Sequence, residues 1–340
     1  MKVLVTGGAG YIGSHTVLCL LENNIQVVVF DNLVNSSLTS LNRVEQLTNK
    51  KVEFVQGDIR DSKALESVFN EHDISSVIHF AALKAVGESS TIPLTYYQNN
   101  VYGAVNLLET MAKYKVHNFI FSSSATVYGE DNDVPYIETM KLGTPSSPYG
   151  ASKVMVERIM ADYANADDQF RGVSLRYFNP IGAHESGNIG EDPTGIPNNL
   201  LPYLAQVAVG KRTSLQVFGG DYPTQDGSCE RDYLHVMDLA EGHVCALNWL
   251  HANSDFKGVE AFNLGTGNAT SVFAIIKSFE KATAKKVPFE VASRRPGDLP
   301  AFWANASKAN NQLNWQAKRS LTQMMIDTWH WQSKNPNGYN

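Results

Sequence analysis

Residues 2–15 read KVLVTGGAGYIGSH. An apolar, β-branched run ends at Thr6. Gly7, Gly10 and Gly13 then follow at a spacing of three, and a stretch with apolar residues three and four apart begins at residue 12. Strand, glycine turn and helix in that order make a cradle for a dinucleotide. Glycine permits the tight turn, lets backbone approach a pyrophosphate and allows helix and sheet to pack closely. The helix N-terminus offers unpaired N–H groups and the positive end of its dipole to the phosphates.

The segments around this one repeat its rhythm. KVLVTG, QVVVFD, VEFVQGD, SVIHFAA, NFIFSSS and VSLRYFN are short β-branched runs bounded by Gly, Asp or Asn. Helix-like stretches at 12–23, 62–71, 98–115 and 149–166 lie between them. Strand and helix in alternation predict an α/β fold: a Rossmann-type doubly wound parallel sheet with helices on both faces. The rhythm stops after Asn179. Residues 180–232 are rich in Pro, Gly, Asn and Asp, with one helix near 198–209. A strand is expected near 260–267 and helices near 271–284 and 320–334. The expected division is an NAD-binding domain over 1–179, with a later return strand near 260–267, and a smaller mixed substrate lobe mainly over 180–340.

Asp31 ends the second strand, 18 residues after Gly13. A carboxylate there accepts hydrogen bonds from ribose hydroxyls and repels a 2′-phosphate, which favours NAD over NADP. Asp58, in GDIRD, is placed to reach the adenine edge. The 340 residues carry a net charge of −6, which argues against a nucleic-acid partner. No apolar run approaches the roughly 18 residues of a membrane span, and no leader-like segment opens the chain. Cys19, Cys229 and Cys245 suit a reducing compartment, and the expected location is the cytoplasm. No metal-ligand spacing occurs in the sequence, so no metal is expected.

PYGASK places Tyr149 and Lys153 at i and i+4, on one face of a helix that Pro148 can start. Beside a dinucleotide, such a pair is a proton-transfer device. A neighbouring ammonium and a cationic nicotinamide would lower the phenol from its ordinary value of about 10. The phenolate could then take a proton from a sugar hydroxyl as hydride leaves the same carbon. Ser122, Ser123 and Ser124 end the fifth strand at the ligand edge, and Ser124 is the best third partner.

TGGAGYIG, Asp31, Asn99, SSSATVYG and YGASK together resemble the extended short-chain dehydrogenase/reductase superfamily. HFAALKAVGES, RYFNPIGAH, IPNNLLPYLAQVAVGKR, RDYLHVMDLAEGH and RRPGDLPAFWA resemble its UDP-glucose 4-epimerase family over nearly the whole chain. The resemblance implies a reversible interconversion of UDP-galactose and UDP-glucose in galactose metabolism. Hydride would pass from C4 to a retained NAD and back to the opposite face of a transient 4-keto sugar. Tyr149 would carry the 4-hydroxyl proton, and Lys153 would also hold the nicotinamide ribose.

By the same resemblance the cofactor is lined by Tyr11, Ile12, Asp31 and Asn32 through Asn35 and Ser36. Asp58, Ile59, Phe80, Ala81 and Lys84 add to that lining, with Asn99, Ser122, Tyr177 and Phe178. Arg231 and Arg295 match diphosphate-binding positions, where forked planar donors suit phosphate oxygens. Asn179, Asn199 and Leu200 match contacts to the nucleotide-sugar. Gln216, Val217 and Phe218 match the segment beside uracil, and Asp298 a uridine ribose acceptor. Phe302 stands where the bacterial enzymes usually have tyrosine. Its bulk implies a preference for UDP-glucose and UDP-galactose over N-acetylated sugars.

The main alternative is an NAD-dependent nucleotide-sugar 4,6-dehydratase. Dehydratases carry Asp-Glu after the strand-end Ser or Thr, and here that place holds Ala125 and Thr126. A plain dehydrogenase would have no use for Arg231 and Arg295, and a regulator that only binds NAD would not need the Tyr–Lys pair. Val101, Val105, Leu108 and Met111, with Met155, Ile159 and Met160, could form an intersubunit bundle, and the resemblance implies a homodimer.

Overall fold

The computed structural model describes residues 1–295 and 298–340. The first half runs β1 (Lys2–Thr6), α1 (Tyr11–Glu22), β2 (Gln26–Asp31), α2 (Leu38–Thr48), β3 (Glu53–Gln56), α3 (Ser62–Glu71) and β4 (Ser76–His79). Two short helices, α4 (Val86–Thr91) and α5 (Pro93–Tyr96), a π-helical turn (Tyr97–Tyr102) and α6 (Gly103–Lys113) lead to β5 (Asn118–Ser122). A 3₁₀ turn (Ala125–Tyr128), α7 (Pro148–Ala166) and β6 (Arg171–Tyr177) follow. Next come β7 (Asn179–Ile181), α8 (Leu200–Ala208), β8 (Leu215–Phe218), β9 (Glu230–His235), α9 (Val236–Ala252) and β10 (Gly258–Leu264). The remainder is β11 (Ala269–Ser271), α10 (Val272–Thr283), β12 (Phe289–Ala292), β13 (Ala301–Phe302), α11 (Ser307–Gln312) and α12 (Leu321–Lys334).

Seven strands form one parallel sheet in the order β10-β6-β5-β4-β1-β2-β3. The chain starts at β1, moves out to β3, then crosses back to β4. The glycine turn therefore opens where strand order reverses, the place at which such sheets bind ligands. Strand periodicity explains the layers. Val3, Val5, Val27, Val29, Ile78 and Ile120 point to one face and meet α1 and α9, while Leu4, Val28, Phe30, Val77, Phe119 and Phe121 meet α3, α6 and α7 on the other. Both faces are covered, so the strands read as continuous apolar runs rather than alternating ones.

The expected sheet, its late return strand and the expected helices are all present, with ends shifted by a residue or a few. The small strands of the lobe and several short helices were not expected, and two longer helices also differ from expectation. The helix expected over 98–115 begins as a π-helical turn, and this places Asn99 inside a widened coil. The 17-residue helix α9 was not expected at all. It packs on α1 and the sheet along most of its length, and only Asn248, His251 and Ala252 near its end are exposed, so its polar stripe is too short to mark a surface helix. The bundle residues also divide. Leu108, Met111 and Met160 belong to the sheet's own core, whereas Met155 stays exposed.

A separate apolar core holds the remaining lobe together: Leu201, Leu204, Val217, Tyr233, Ile275, Phe279 and Met325. Two small sheets brace it, one joining β7, β9, β11 and β13, the other β8 and β12. Among the described residues no helix is long and apolar enough to cross a membrane, and no cluster of three or more His, Cys, Asp or Glu could hold a metal ion.

Candidate active site

A cavity of about 680 Å³ opens at the C-terminal ends of β1, β2 and β4. The glycine turn forms its floor. Gly7 has φ +71°, and a Cβ there would stand 2.6 Å from the Ala81 backbone nitrogen. A Cβ on Gly13 would stand 2.3 Å from the Gly7 carbonyl oxygen. Both positions are bare because backbone must pass close to backbone. Helix α1 starts without a side-chain cap and without an acidic residue in its first turn, which leaves its N-terminal dipole free to face an anion.

Asp31 is buried beside this turn. Its carboxylate accepts from the Ala9 N–H at 3.0 Å, the Leu33 N–H at 2.9 Å and the Ser36 hydroxyl at 2.9 Å. It thus ties the glycine turn to the loop after β2. Tyr11, Ile12, Asn32, Asn35, Ser36, Ile59, Phe80, Ala81, Lys84 and Asn99 also line the cavity. Asp58 does not. Its carboxylate takes both the Arg60 guanidinium and the Asn32 amide, and the Arg60 hydrogen bonds hold it well below the usual carboxylate range.

Tyr149, Lys153 and Tyr177 line the same cavity. Ser147 caps α7 by accepting from the Gly150 N–H, and Pro148 takes the first helical position. That start points Tyr149 and Lys153 inward. The Lys153 ammonium donates to the Ser122 carbonyl at 2.8 Å. The Ser122 hydroxyl donates to the Tyr177 phenol at 3.1 Å. Burial pushes the Tyr149 phenol well above its ordinary value; Tyr177 adds to the rise, and a hydrogen bond with Ser124 opposes it. Burial also lowers Lys153 to about 7, against an opposing pull from Glu157. The sequence suggested that the ammonium would lower the phenol. Among the protein's own groups desolvation is the larger effect, and it drives both toward their neutral forms.

Ser124 caps the 3₁₀ turn, and its oxygen accepts from the Thr126 N–H at 3.2 Å and the Thr126 hydroxyl at 3.0 Å. Ser123 faces the other way and donates to Glu157 at 2.6 Å. Glu157 is paired with Arg176 at 2.6 Å in a buried network that also takes in Tyr128 and Asn263. Ser123 is therefore a scaffold residue, and the serine run divides its labour by alternation along the chain.

Apart from Tyr149, the residues expected on the substrate side lie outside the cavity lining, and six of them fall in two groups. In the first, β13 pairs with β9 so that Phe302 sits in register with Arg231. Arg231 contacts Asp298 at 3.3 Å, and Phe302 packs on Phe178 with ring centres 5.1 Å apart. In the second, the Arg295 guanidinium lies 3.9 Å above the Phe218 ring, and Gln216 donates to Glu290 at 3.1 Å. Asn179 stands on β7, in register with Tyr233. Asn199 and Leu200 begin α8. Two of the positions just ahead of Asp298, 296 and 297, lie outside the described residues.

Several wall residues were not anticipated: the 190–195 segment, Lys211, Asn337 and Tyr339. The Tyr339 phenol both donates to and accepts from Gly190, and its N–H donates to Asp192. No local signal in the sequence connects residues nearly 150 positions apart.

Residues 4–328 match the family model described as GDP-mannose 4,6 dehydratase. The chain is 58% identical to the UDP-glucose 4-epimerase of Erwinia amylovora over 99% of each chain. It resembles the crystal structure of UDP-glucose 4-epimerase from Bifidobacterium longum in complex with NAD+ and UDP, with a TM-score of 0.96 and 50% identity over 99% of this chain and 100% of that one. An epimerase structure from Stenotrophomonas maltophila, with bound NAD and formylated UDP-arabinopyranose, gives 0.95 and 46% over 99% of each.

Proposed function

This chain belongs to the UDP-glucose 4-epimerases, within the broader family described as GDP-mannose 4,6 dehydratase, and from that premise we infer that it interconverts UDP-galactose and UDP-glucose at C4. It is an NAD-dependent isomerase working through a 4-keto sugar. The observation that carries the reading is the convergence of Tyr149 and Lys153 with the glycine turn on one cavity. The absence of an ionisable pair after Ser124, where Ala125 and Thr126 stand, speaks against the dehydratase.

The residues present fit a dinucleotide. Bare glycines, an uncapped helix start and the Asp31 carboxylate stand where pyrophosphate and ribose would lie. When bound, NAD supplies the hydride acceptor and donor. In this reading the Tyr149 oxygen accepts the 4-hydroxyl proton and later returns it, with Ser124 holding that hydroxyl. Its raised pKa sets a condition: positive charge must be close before the phenol can give up its proton. Lys153, anchored by the Ser122 carbonyl, is one source of that charge. Arg231 and Arg295 would hold the diphosphate, with Asn179, Asn199, Leu200, Gln216–Phe218 and Asp298 around the nucleotide-sugar. Residues 1–179 with the return strand would carry NAD, and 180–340 mainly the UDP-sugar.

The decisive experiment mixes purified protein with UDP-galactose and no added NAD. UDP-glucose is expected to form, because each cycle regenerates the cofactor. A 4-keto-6-deoxy sugar or free NADH in place of the epimer would overturn the reading.

Phe302 closes one side of the lobe group and packs on Tyr136 and Phe178. Its volume is expected to make kcat/KM for UDP-glucose at least about tenfold greater than for UDP-N-acetylglucosamine, the scale of one badly fitting group in a pocket. Phe302→Cys should narrow that ratio in a side-by-side assay of both sugars. Equal ratios before and after the change would remove Phe302 from specificity.

A homodimer in the cytoplasm completes the proposal. The support is a set of exposed apolar side chains on neighbouring elements, Ile92, Leu94, Tyr102 and Met155, together with three free cysteines.

A further inference from the structure

Glu191 sits between the two halves of the site and is claimed by both. One carboxylate oxygen accepts from the Lys84 ammonium at 2.9 Å and from the Asn199 side-chain amide at 2.9 Å. Lys84 comes from the turn after β4, on the sheet side. Asn199 holds the N-cap position of α8, on the lobe side, yet makes no side-chain cap there. An asparagine at that position ordinarily accepts from the first turn of its helix. Here its amide is turned away to Glu191 instead.

The carboxylate is not a loose surface group. Only 9% of the Glu191 side chain is exposed, against 46% for Lys84. Its backbone is fastened from behind: the Glu191 carbonyl accepts from the Trp331 indole at 3.0 Å, and Tyr339 grips Gly190 and Asp192 on either side. Glu191 and Lys84 both line the cavity. Their contact joins the turn after β4 to the 190–195 segment along the cavity wall.

We propose that Glu191 is a positioning residue that latches Lys84 to Asn199 at the cavity wall and so retains the dinucleotide between turnovers. The proposal rests on the NAD-dependent epimerase reading above. The cofactor leaves only when the sheet-side turn and the lobe part, and the Glu191 contacts oppose that parting. A charged hydrogen bond that is largely shielded from water resists such opening, though the exposure of Lys84 weakens the ion pair.

The test measures the rate at which bound NAD leaves the purified holoenzyme, by trapping released cofactor, in the wild type, Glu191→Ala, Lys84→Ala and the double variant. Glu191→Ala is expected to speed release about tenfold, with Glu191→Gln smaller in effect because its carbonyl still accepts from Asn199. In the Lys84→Ala background the Glu191 change should add much less, because the contact to Lys84, the one that joins the sheet side to the lobe, is already gone. Melting temperature and circular dichroism, read in parallel, should stay within a few degrees of wild type. Release at the wild-type rate in Glu191→Ala overturns the latch while leaving the epimerase reading intact. Equal acceleration in both backgrounds also overturns it and assigns Glu191 a packing role. A wild-type protein that carries no NAD and forms no epimer fails the functional reading first.

Discussion

Tyr149→Phe is expected to lower kcat by about 10³-fold, inside the range of about 10²–10⁴ that a positioned proton-transfer group supplies. The KM for UDP-galactose and the NAD content should change by less than about threefold. The change removes one oxygen and keeps the ring, so packing against α7 and the Lys153 ammonium, 5.8 Å from the ring centre, survives. Burial alone favours the neutral phenol, so nearby positive charge has to offset it before the oxygen can accept a proton. Its oxygen matters only when the 4-hydroxyl proton has to move. The loss should therefore fall on kcat and kcat/KM together, the pattern of an interaction made in the transition state alone. Steady-state kinetics on variant and wild type at matched NAD content decide it. A variant keeping more than a tenth of wild-type kcat would mean that another group carries the proton, with Ser124 the first to examine.

The same residue shows where reading from sequence succeeds and where it stops. Tyr149 and Lys153 are legible because their relation is local: an i, i+4 pair behind a proline lies on one helix face in any fold. The glycine turn is legible for the same reason. The sheet was readable because strands covered on both faces must be apolar throughout, and that pattern survives without knowledge of partners. Helix α9 was hidden by the same physics, since burial along most of its length left little of a polar stripe. The rise that burial gives the Tyr149 phenol is not legible in the sequence, because desolvation belongs to the assembled protein and not to the three residues between Tyr149 and Lys153.

The substrate side was visible only through resemblance. Arg231 on β9 meets Asp298 and Phe302, some 70 residues on, through a strand of two residues, β13. No periodicity marks an element that short. Glu191 left no trace at all, being one acid among glycines and aspartates in a stretch without regular structure. Its importance comes from Asn199, eight residues on, and from Lys84, 107 residues back, and no periodicity links either to it.

Gly13→Ala is expected to destabilise the protein by about 3 kcal/mol, the upper part of the usual range for overpacking, and to strip it of most of its NAD. The three glycines look alike in sequence, but the fold ranks them. A methyl on Gly13 would meet the Gly7 carbonyl oxygen at 2.3 Å and the Gly8 Cα at 2.8 Å, both backbone atoms that no rotamer change can move aside. Helix α1 would have to lift from the turn, and α1 is packed on the sheet and against α9 in one apolar core. Gly10 differs: its φ of −75° suits any residue, and the one atom near an added methyl is the Gly7 carbonyl oxygen at 3.3 Å. Gly10→Ala should therefore cost about 1 kcal/mol or less, as a poorer N-cap. Its methyl nonetheless projects beside the phosphate cradle, since Gly10 lines the cavity. The two variants separate stability from binding. Gly13→Ala should melt roughly 5–10 °C lower and copurify with little NAD, whereas Gly10→Ala should melt near wild type and lose cofactor alone. A Gly13→Ala protein with the wild-type melting temperature and a full complement of NAD would mean that α1 has slack against the turn, contrary to the close backbone packing of this fold.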